Sequence, residues 1–355
     1  MWLLESESNQ RRELVIERKI RVIQYGLGTT GLEIVTLMLE KEGIEIVGAI
    51  AKTKNIGKDL GDVLGLKKRL GVTVSSDPEA VFSSVKADLV VHATVSYLPD
   101  AWTQVMKPIE AGLNVITIAG GLVFPPPDLA KEMDEKAKRF GVTVFGTGVN
   151  PGFALDLLPL FLSGICRKVN KITVRRIVDF SKIRPEFLRK VGIGMTMKEF
   201  QKASAEGSIL ALESWANPGS LNAIADSLGW KLDETKVTVE PILAERIIDA
   251  PNIKVEPGIL WAFNVKRQGM RNGKEMVSVE VECGVGLEFE AKNEISIEGD
   301  PNITETMIVE GASGTAPLVV NNIPHVLNAQ PGFFTPLDLP VTPCLLRDVR
   351  ELVTC

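Results

Sequence analysis

A chain of 355 residues is long enough for two domains, or for one large domain with a sizeable core. At 45% hydrophobic and 24% charged residues it is neither disordered nor fibrous, and a net charge of −5 without a basic stripe argues against a nucleic-acid partner. No apolar run approaches the roughly 18–20 residues of a membrane helix, and acids stand where a secretory signal is basic, so no membrane partner is expected and the expected location is the cytoplasm.

Residues 1–19 mix both signs of charge and read as a solvated arm. IRVIQY, residues 20–25, is apolar and rich in strand formers; GLGTTG, Gly26 to Gly31, follows at once. LEIVTLMLEKEG then has helical periodicity ending at Gly43, and IEIVGAI is a second strand. This is a βαβ unit of about 30 residues with its glycines at the strand-to-helix turn, a context that makes the GxGxxG spacing informative. The alternation continues through ADLVVHAT (87–94), a helix near 99–111, NVITIA, the helix PDLAKEMDEKAKRFG and the strand VTVFGTG. Single helices between strands predict a Rossmann-type, doubly wound parallel sheet over residues 20–154, with ligands at the carboxyl ends of its strands.

From about residue 155 to 315 the strands lengthen, as in KITVRRIVDFS and MVSVEVECGVGLEFEAKNEISIEG, with amphipathic helices at 196–206 and 219–228 between them. That pattern predicts a second, α+β domain with a mostly antiparallel sheet, open on one face to helices or a partner subunit, serving substrate and dimerisation. The apolar helix APLVVNNIPHVLNA, within a C-terminal segment 316–355, is expected to return to the first domain.

The glycine positions have a steric logic. Gly26 permits the tight turn, Gly28 lets backbone approach a pyrophosphate, and Gly31 lets helix pack on strand. Leu27, Thr29 and Thr30 complete the loop, and the helix start offers free N–H groups to phosphate. After the second strand an NAD site has an acid about 20 residues beyond the glycines; here the chain reads Ile50, Ala51, Lys52, Thr53, Lys54, Asn55. Lys52, Thr53 and Lys54 suit a 2′-phosphate, which favours NADP(H) with NAD(H) as the alternative; both lysines facing water is the plainer reading. His92, Ala93, Thr94, Ser96 and Tyr97 stand at another strand end and are expected to line ribose and nicotinamide, with His92 equally readable as a satisfied core residue. Tyr97 is also a candidate proton donor.

GTGVNPGFALDLLPL, 146–160, is expected to leave a strand at about Phe145 and enter a helix near Gly152, with Asn150 as cap and Pro151 in the first position. Free amides there would hold a substrate carboxylate or carbonyl, making Asn150, Pro151 and Gly152 pocket candidates; plain capping is the alternative. Alternation puts Arg175 and Arg176 on opposite faces of their strand, so one can fork onto a substrate carboxylate. Four scattered cysteines (Cys166, Cys283, Cys344, Cys355) and two histidines give neither a disulfide framework nor a metal site.

RVIQYGLGTTGLEIV, EIVGAI, GKDLGDVLGL, VVHATVSYLPD, AGLNVIT and GVTVFGTGVNPGFALDLLP resemble 2,4-diaminopentanoate dehydrogenase, the native amine dehydrogenases and, more distantly, dihydrodipicolinate reductase. The likeness runs from about residue 20 to about 340, and implies a homodimer that performs reversible oxidative deamination with NAD(P) on a small-molecule substrate. In that resemblance a TCEEL segment aligns with Ile118-Ala119-Gly120-Gly121-Leu122, and its first glutamate, which handles the amine proton, falls on Gly120. A GGVHGD-like run with a histidine falls on Gly311-Ala312-Ser313-Gly314-Thr315. The cofactor half is intact, while of the substrate half Asn150 and Arg176 remain, with Gly120 and Gly121 in the pocket. Three readings follow: an oxidoreductase whose carbonyl, imine or activated-alkene substrate needs no carboxylate, the family reaction with a substitute acid such as Asp179 or Glu186, or a cofactor-binding protein with little catalysis.

Overall fold

The computed structural model describes residues 18–96, 98–286, 291–309 and 314–353; most of the N-terminal arm, Tyr97 and Gly311 to Ser313 lie outside the described residues. The chain divides into two compact units, Met1–Gly152 with Gly311–Cys355, and Phe153–Glu310. The first unit is therefore discontinuous in sequence.

Its core is a parallel sheet of strands β1 (Ile20–Tyr25), β2 (Ile44–Ile50), β3 (Val74–Ser75), β4 (Leu89–His92), β5 (Asn114–Thr117) and β6 (Thr143–Gly146). A late strand, Gly332–Phe334, joins beside β6, giving seven strands ordered 332–334, β6, β5, β4, β1, β2, β3. The strands are apolar on both faces because helices cover both: β4 is buried at every position, Leu89 to His92. Between them run α1 (Thr29–Glu40), the short α2 (Leu60–Val63), α3 (Pro78–Ser84), α4 (Leu98–Glu110) and α5 (Pro127–Phe140). The order reverses between β1 and β4, which makes the carboxyl ends of these two strands the crevice where such sheets take ligands. The apolar C-terminal helix, Thr315–Asn328, packs against α1 and buries Ala316, Val319, Val320 and Ile323 in the same core as β1 and β2.

The loop after β2 is fixed by one acid. Asp59 is buried, and its carboxylate accepts from the amides of Gly61, Leu70 and Gly71 at 2.8–2.9 Å. These bonds, the Leu70 amide first, hold its carboxyl below the usual carboxylate range.

The second unit is a six-stranded sheet built from β7 (Lys168–Asp179), β8 (Glu234–Leu243), β11 (Leu260–Arg271), β12 (Lys274–Gly284), β13 (Lys292–Asp300) and β14 (Ile303–Met307), with β9 (Ile248–Ala250) and β10 (Ile253–Val255) as a separate pair. Its order, β14-β13-β7-β12-β11-β8, is antiparallel except between β7 and β12. The long run 276–299 thus forms two strands, β12 and β13, that flank β7 on opposite sides instead of pairing with each other. Helices α6 (Leu157–Ser163), α7 (Pro185–Lys190), α8 (Met197–Ala205) and α9 (Pro218–Ser227) belong to this unit, and α7 to α9 contribute Leu188, Phe200 and Leu221 to its core. The other face is polar: Arg175 pairs with Glu282 and, at 3.3 Å, with Glu294, while Lys266 meets Glu280 at 2.9 Å and Lys171 meets Glu275 at 3.1 Å.

One expectation is corrected here. No helix starts near Gly152; residues 150–156 are a run of turns, and α6 begins at Leu157 with Asp156 as its cap. The reason is backbone geometry: Gly152 has φ of +119°, and a Cβ there would lie 2.6 Å from Gly148 backbone atoms. Asp156, fully buried, accepts from the Leu157 amide and the Ser220 hydroxyl, both at 2.8 Å.

Asp59→Ala should lower the thermal midpoint near pH 7. A carboxyl depressed in the folded state contributes stability above its unfolded pKa of about 4, and that contribution is lost as pH falls through the folded value. The gap between variant and parent in calorimetry should therefore close on acidification.

Candidate functional site

The turn between β1 and α1 is built by close backbone approach. Gly26 has φ of +108°, and a Cβ on it would sit 2.2 Å from the Ala93 carbonyl oxygen and 3.0 Å from Thr94 Cγ2. A Cβ on Gly31 would sit 2.1 Å from the Gly26 oxygen. Gln24, fully buried in β1, donates from Nε2 to that same oxygen at 2.9 Å. So the loop is pressed between β4's exit and the first turn of α1, and neither contact tolerates a side chain. Gly28 differs: it is exposed, and a Cβ there would meet nothing within 4 Å.

Gly28 is also the N-cap of α1, with extended backbone and no side-chain cap. A glycine cap costs only a few tenths of a kcal/mol relative to serine or aspartate. Burial of Ile34, Val35 and Met38 contributes about 1.5–3 kcal/mol each, so the helix forms with its leading amides unspent. Exposed backbone, an open cap and a helix dipole together make an anion cradle suited to a diphosphate. A cleft of about 770 Å³ runs from it, lined by Leu27, Gly28, Thr29, Glu33, Lys54 and Asn55 among others. Of the basic positions after β2, Lys54 lines this cleft, while Lys52 and Thr53 are exposed and do not.

At β4's exit the four described candidates separate. Thr94 and Ser96 are exposed and Ala93 is buried with its carbonyl over Gly26. His92 is wholly buried: Nδ1 lies 2.9 Å from Thr117 Oγ1, and Nε2 lies 3.0 Å from Gln104 Oε1 and 2.7 Å from Thr94 Oγ1. Desolvation drops its pKa to about 4, with the Gln104 bond a lesser opposing influence, so the ring is neutral at pH 7. His92 is thus a buried residue whose two ring nitrogens are both bonded. Tyr97 lies outside the described residues.

β5 ends at Thr117 and turns through a single 3-10 turn at Gly120–Leu122. Neither Gly120 nor Gly121 has positive φ, so the backbone does not demand glycine at either position. A Cβ on Gly120 would stand 3.3 Å from Pro151 Cδ, and one on Gly121 would stand 3.3 Å from Leu98. Asn150, half-buried beside Pro151, has an enclosed Oδ1 without a partner among the described residues. The structure thus brings Gly120, Pro151 and the 148–152 turn together within the first unit.

Arg176 belongs to the second unit, on the face of β7 that carries Val174 and the core, level with Val281 of β12 and Asn293 of β13. Burial pushes its guanidinium pKa down, offset in part by the neighbouring Cys283, whose thiol burial raises to about 12. Arg175, on the opposite face, is spent on Glu282 and Glu294. Asp179 accepts from the Ser181 amide at 2.9 Å, and Glu186 is exposed.

Gln24, Gln104 and Thr117 escaped sequence reasoning. Gln24 carried a signal, since a polar residue within an otherwise apolar strand, IRVIQY, calls for a partner.

A parallel sheet with a glycine-built diphosphate cradle at its switch point defines a dinucleotide-dependent oxidoreductase. Comparison with known proteins narrows the class. Residues 153–355 match the family model of the "2,4-diaminopentanoate dehydrogenase C-terminal domain", and residues 20–122 match "Dihydrodipicolinate reductase, N-terminus". The chain is 33% identical to 2,4-diaminopentanoate dehydrogenase of Acetoanaerobium sticklandii, covering 95% of this chain and 98% of that one. An amine dehydrogenase of Streptomyces virginiae is 25% identical over 94% of this chain and 99% of its own. The solved amine dehydrogenase of Mycobacterium smegmatis superposes with a TM-score of 0.80 at 28% identity, covering 93% of this chain and 99% of that one. The chain belongs to the 2,4-diaminopentanoate dehydrogenase family, and is an NAD(P)-dependent oxidoreductase acting on a small carbonyl, imine or amine substrate.

Gly28→Ala should fold with only a small drop in thermal midpoint, alanine being the poorer cap, yet bind coenzyme at least about tenfold more weakly by calorimetric titration, because its methyl meets no protein atom and enters the open space before the helix start. Gly31→Ala should lose both stability and binding, since its methyl meets backbone.

Proposed function

We propose that the enzyme uses NADP(H) and reduces a small carbonyl or imine at the turn bearing Gly120 and Gly121. The 120–121 turn carries this reading. Its φ angles suit any residue, so two glycines there serve space and backbone access instead of conformation. The amides of Gly120 and Gly121 bond no described residue, and the Asn150 side chain keeps an unspent acceptor nearby in the sequence motif. A substrate oxygen or imine nitrogen suits such a turn; a cationic amine, which calls for a carboxylate, suits it less. Bound dihydronicotinamide supplies the hydride, while the chain's own groups orient the acceptor and exclude water. Thr94 and Ser96, exposed at β4's exit, serve the coenzyme wall.

For the coenzyme, Lys54 in the cleft beside Gly28, with no acid between Ile50 and Asn55, supports a 2′-phosphate. The polar sheet face of the second unit, interleaving lysine and arginine with glutamate, supports association with a second copy as a homodimer. The names of the relatives favour a second reading, amine oxidation with a substitute acid, for which Asp179 and Glu186 are the candidates.

The deciding assay follows NADPH oxidation with ketones, preformed imines, and ketones plus ammonium. Turnover of ketone alone or of preformed imine supports the first reading, and a strict ammonium requirement supports the second. Coenzyme binding without turnover on any of these probes overturns both. In the same assay Gly120→Glu should raise ammonium-dependent turnover, since only Pro151 Cδ must yield a few tenths of an ångström. Lys54→Glu should shift preference toward NADH by about tenfold or more, with Lys52→Glu nearly silent.

A further inference from the structure

The buried imidazole of His92 joins two parts of the site that the sequence keeps apart. On one side Thr94, whose methyl abuts Gly26, bonds Nε2 and also donates to Gln104 Oε1. On the other side Nδ1 meets Thr117 Oγ1, and that same oxygen accepts the Ala119 amide at 3.2 Å. Ala119 is the residue from which the Gly120–Leu122 turn springs. His92 and Thr117 are both fully buried, so no water competes for the bond between them.

The donors and acceptors fit one arrangement. Gln104 Oε1 can only accept and already takes the Thr94 proton, so Nε2 carries the ring proton and gives it to the oxygens of Gln104 and Thr94; bare Nδ1 then takes the Thr117 hydroxyl proton, while the Thr117 oxygen accepts from Ala119. We propose that His92 is a positioning residue, a neutral relay of fixed tautomer that sets the Ala119–Gly121 turn through Thr117 and ties it to Thr94 at the coenzyme loop. The link to coenzyme rests on the function proposed above; the link from imidazole to turn does not.

Charge would break the relay. A proton on Nδ1 turns an acceptor into a donor, so the buried Thr117 hydroxyl must swing its own proton off the ring and its oxygen must take two donors at once, which shifts the Ala119 bond. The groups facing the ring keep it neutral: Tyr25 of β1 lies edge-on at 5.4 Å, Gln104 comes from α4, Thr117 from β5 and Thr94 from its own strand end. Beyond them Lys107 of α4 acts on Tyr25 and is held by Glu79 of α3 at 2.8 Å. No described carboxylate bonds the imidazole.

Gln104→Glu should put a carboxylate on Nε2, favour the imidazolium and raise the His92 pKa toward neutrality. Below that raised value the ring is charged and the turn displaced; above it the native arrangement returns. The chain has two histidines, so ¹⁵N-histidine NMR of the full-length protein reads His92 directly once His325→Asn assigns the other. The parent should show the Nε2–H tautomer without titration from about pH 5.5 to 8.5. In Gln104→Glu, His92 should titrate inside that window, and the Ala119 and Gly120 amide signals should move with it. Thr117→Val should shift those amides and lower turnover with the best ketone or imine probe about tenfold while coenzyme affinity stays within about twofold; Thr117→Ser should restore both. An Nδ1–H tautomer in the parent, or a titrating His92 whose neighbours in the turn stay still, would overturn the proposal. Failure of the parent to bind either coenzyme would instead sink the proposed function and leave the amide result standing.

Discussion

The first unit depends on one steric fact: backbone meets backbone at the head of β1. The Ala93 carbonyl lies against Gly26, and the Gly26 carbonyl against Gly31, at separations where a Cβ would be 2.1–2.2 Å from oxygen. That approach sets α1 low on the sheet, so Ile34, Val35 and Met38 reach full burial and the helix start faces the crevice. Gln24 reinforces it from beneath through the Gly26 oxygen. The amides at the start of α1 bond no described residue, because the contacts that build the turn use carbonyls and leave the helix donors alone.

The second unit solves a different problem. Its sheet has one face for the core and one face of paired charges. Half-buried pairs of this sort contribute about 1 kcal/mol each, so Arg175 and its glutamates set the polar character and charge pattern of this face more than they hold the sheet together. The apolar side, with Phe180, Phe263 and Trp215 stacked edge to face, supplies the cohesion. Arg176 stands out on that side as a cation among apolar neighbours.

Much of the architecture was legible because periodicity switches cleanly. Between Ile20 and Ile50 the pattern passes from strand to helix to strand, and the glycines fall at the joint. What misled was the 150–156 stretch: Asn-Pro-Gly reads as a cap and first turn, and only the positive φ of Gly152 shows that the chain loops before Asp156 caps α6. The His92 network was hidden for another reason. Two of its three partners lie 12 and 25 residues away, and the nearby Thr94 in VVHAT does not by itself tell a satisfied imidazole from a catalytic one. Likewise a list of residues after β2 treats Lys52 and Lys54 alike, while the cleft wall selects Lys54.

The discontinuity of the first unit bears on how the polypeptide is made. Its helix Thr315–Asn328 and strand Gly332–Phe334 leave the ribosome after the whole of the second unit. Until then the growing chain lacks Val319, Val320 and Ile323, each fully buried in the finished core, so about 5 kcal/mol or more of apolar burial is missing from the nascent dinucleotide fold. The contiguous Phe153–Glu310 body has no such debt and is the part suited to mature first during synthesis. The first sheet is thereby fully clad only at the end of translation, and a message truncated before residue 315 would yield a half-clad sheet fit for degradation.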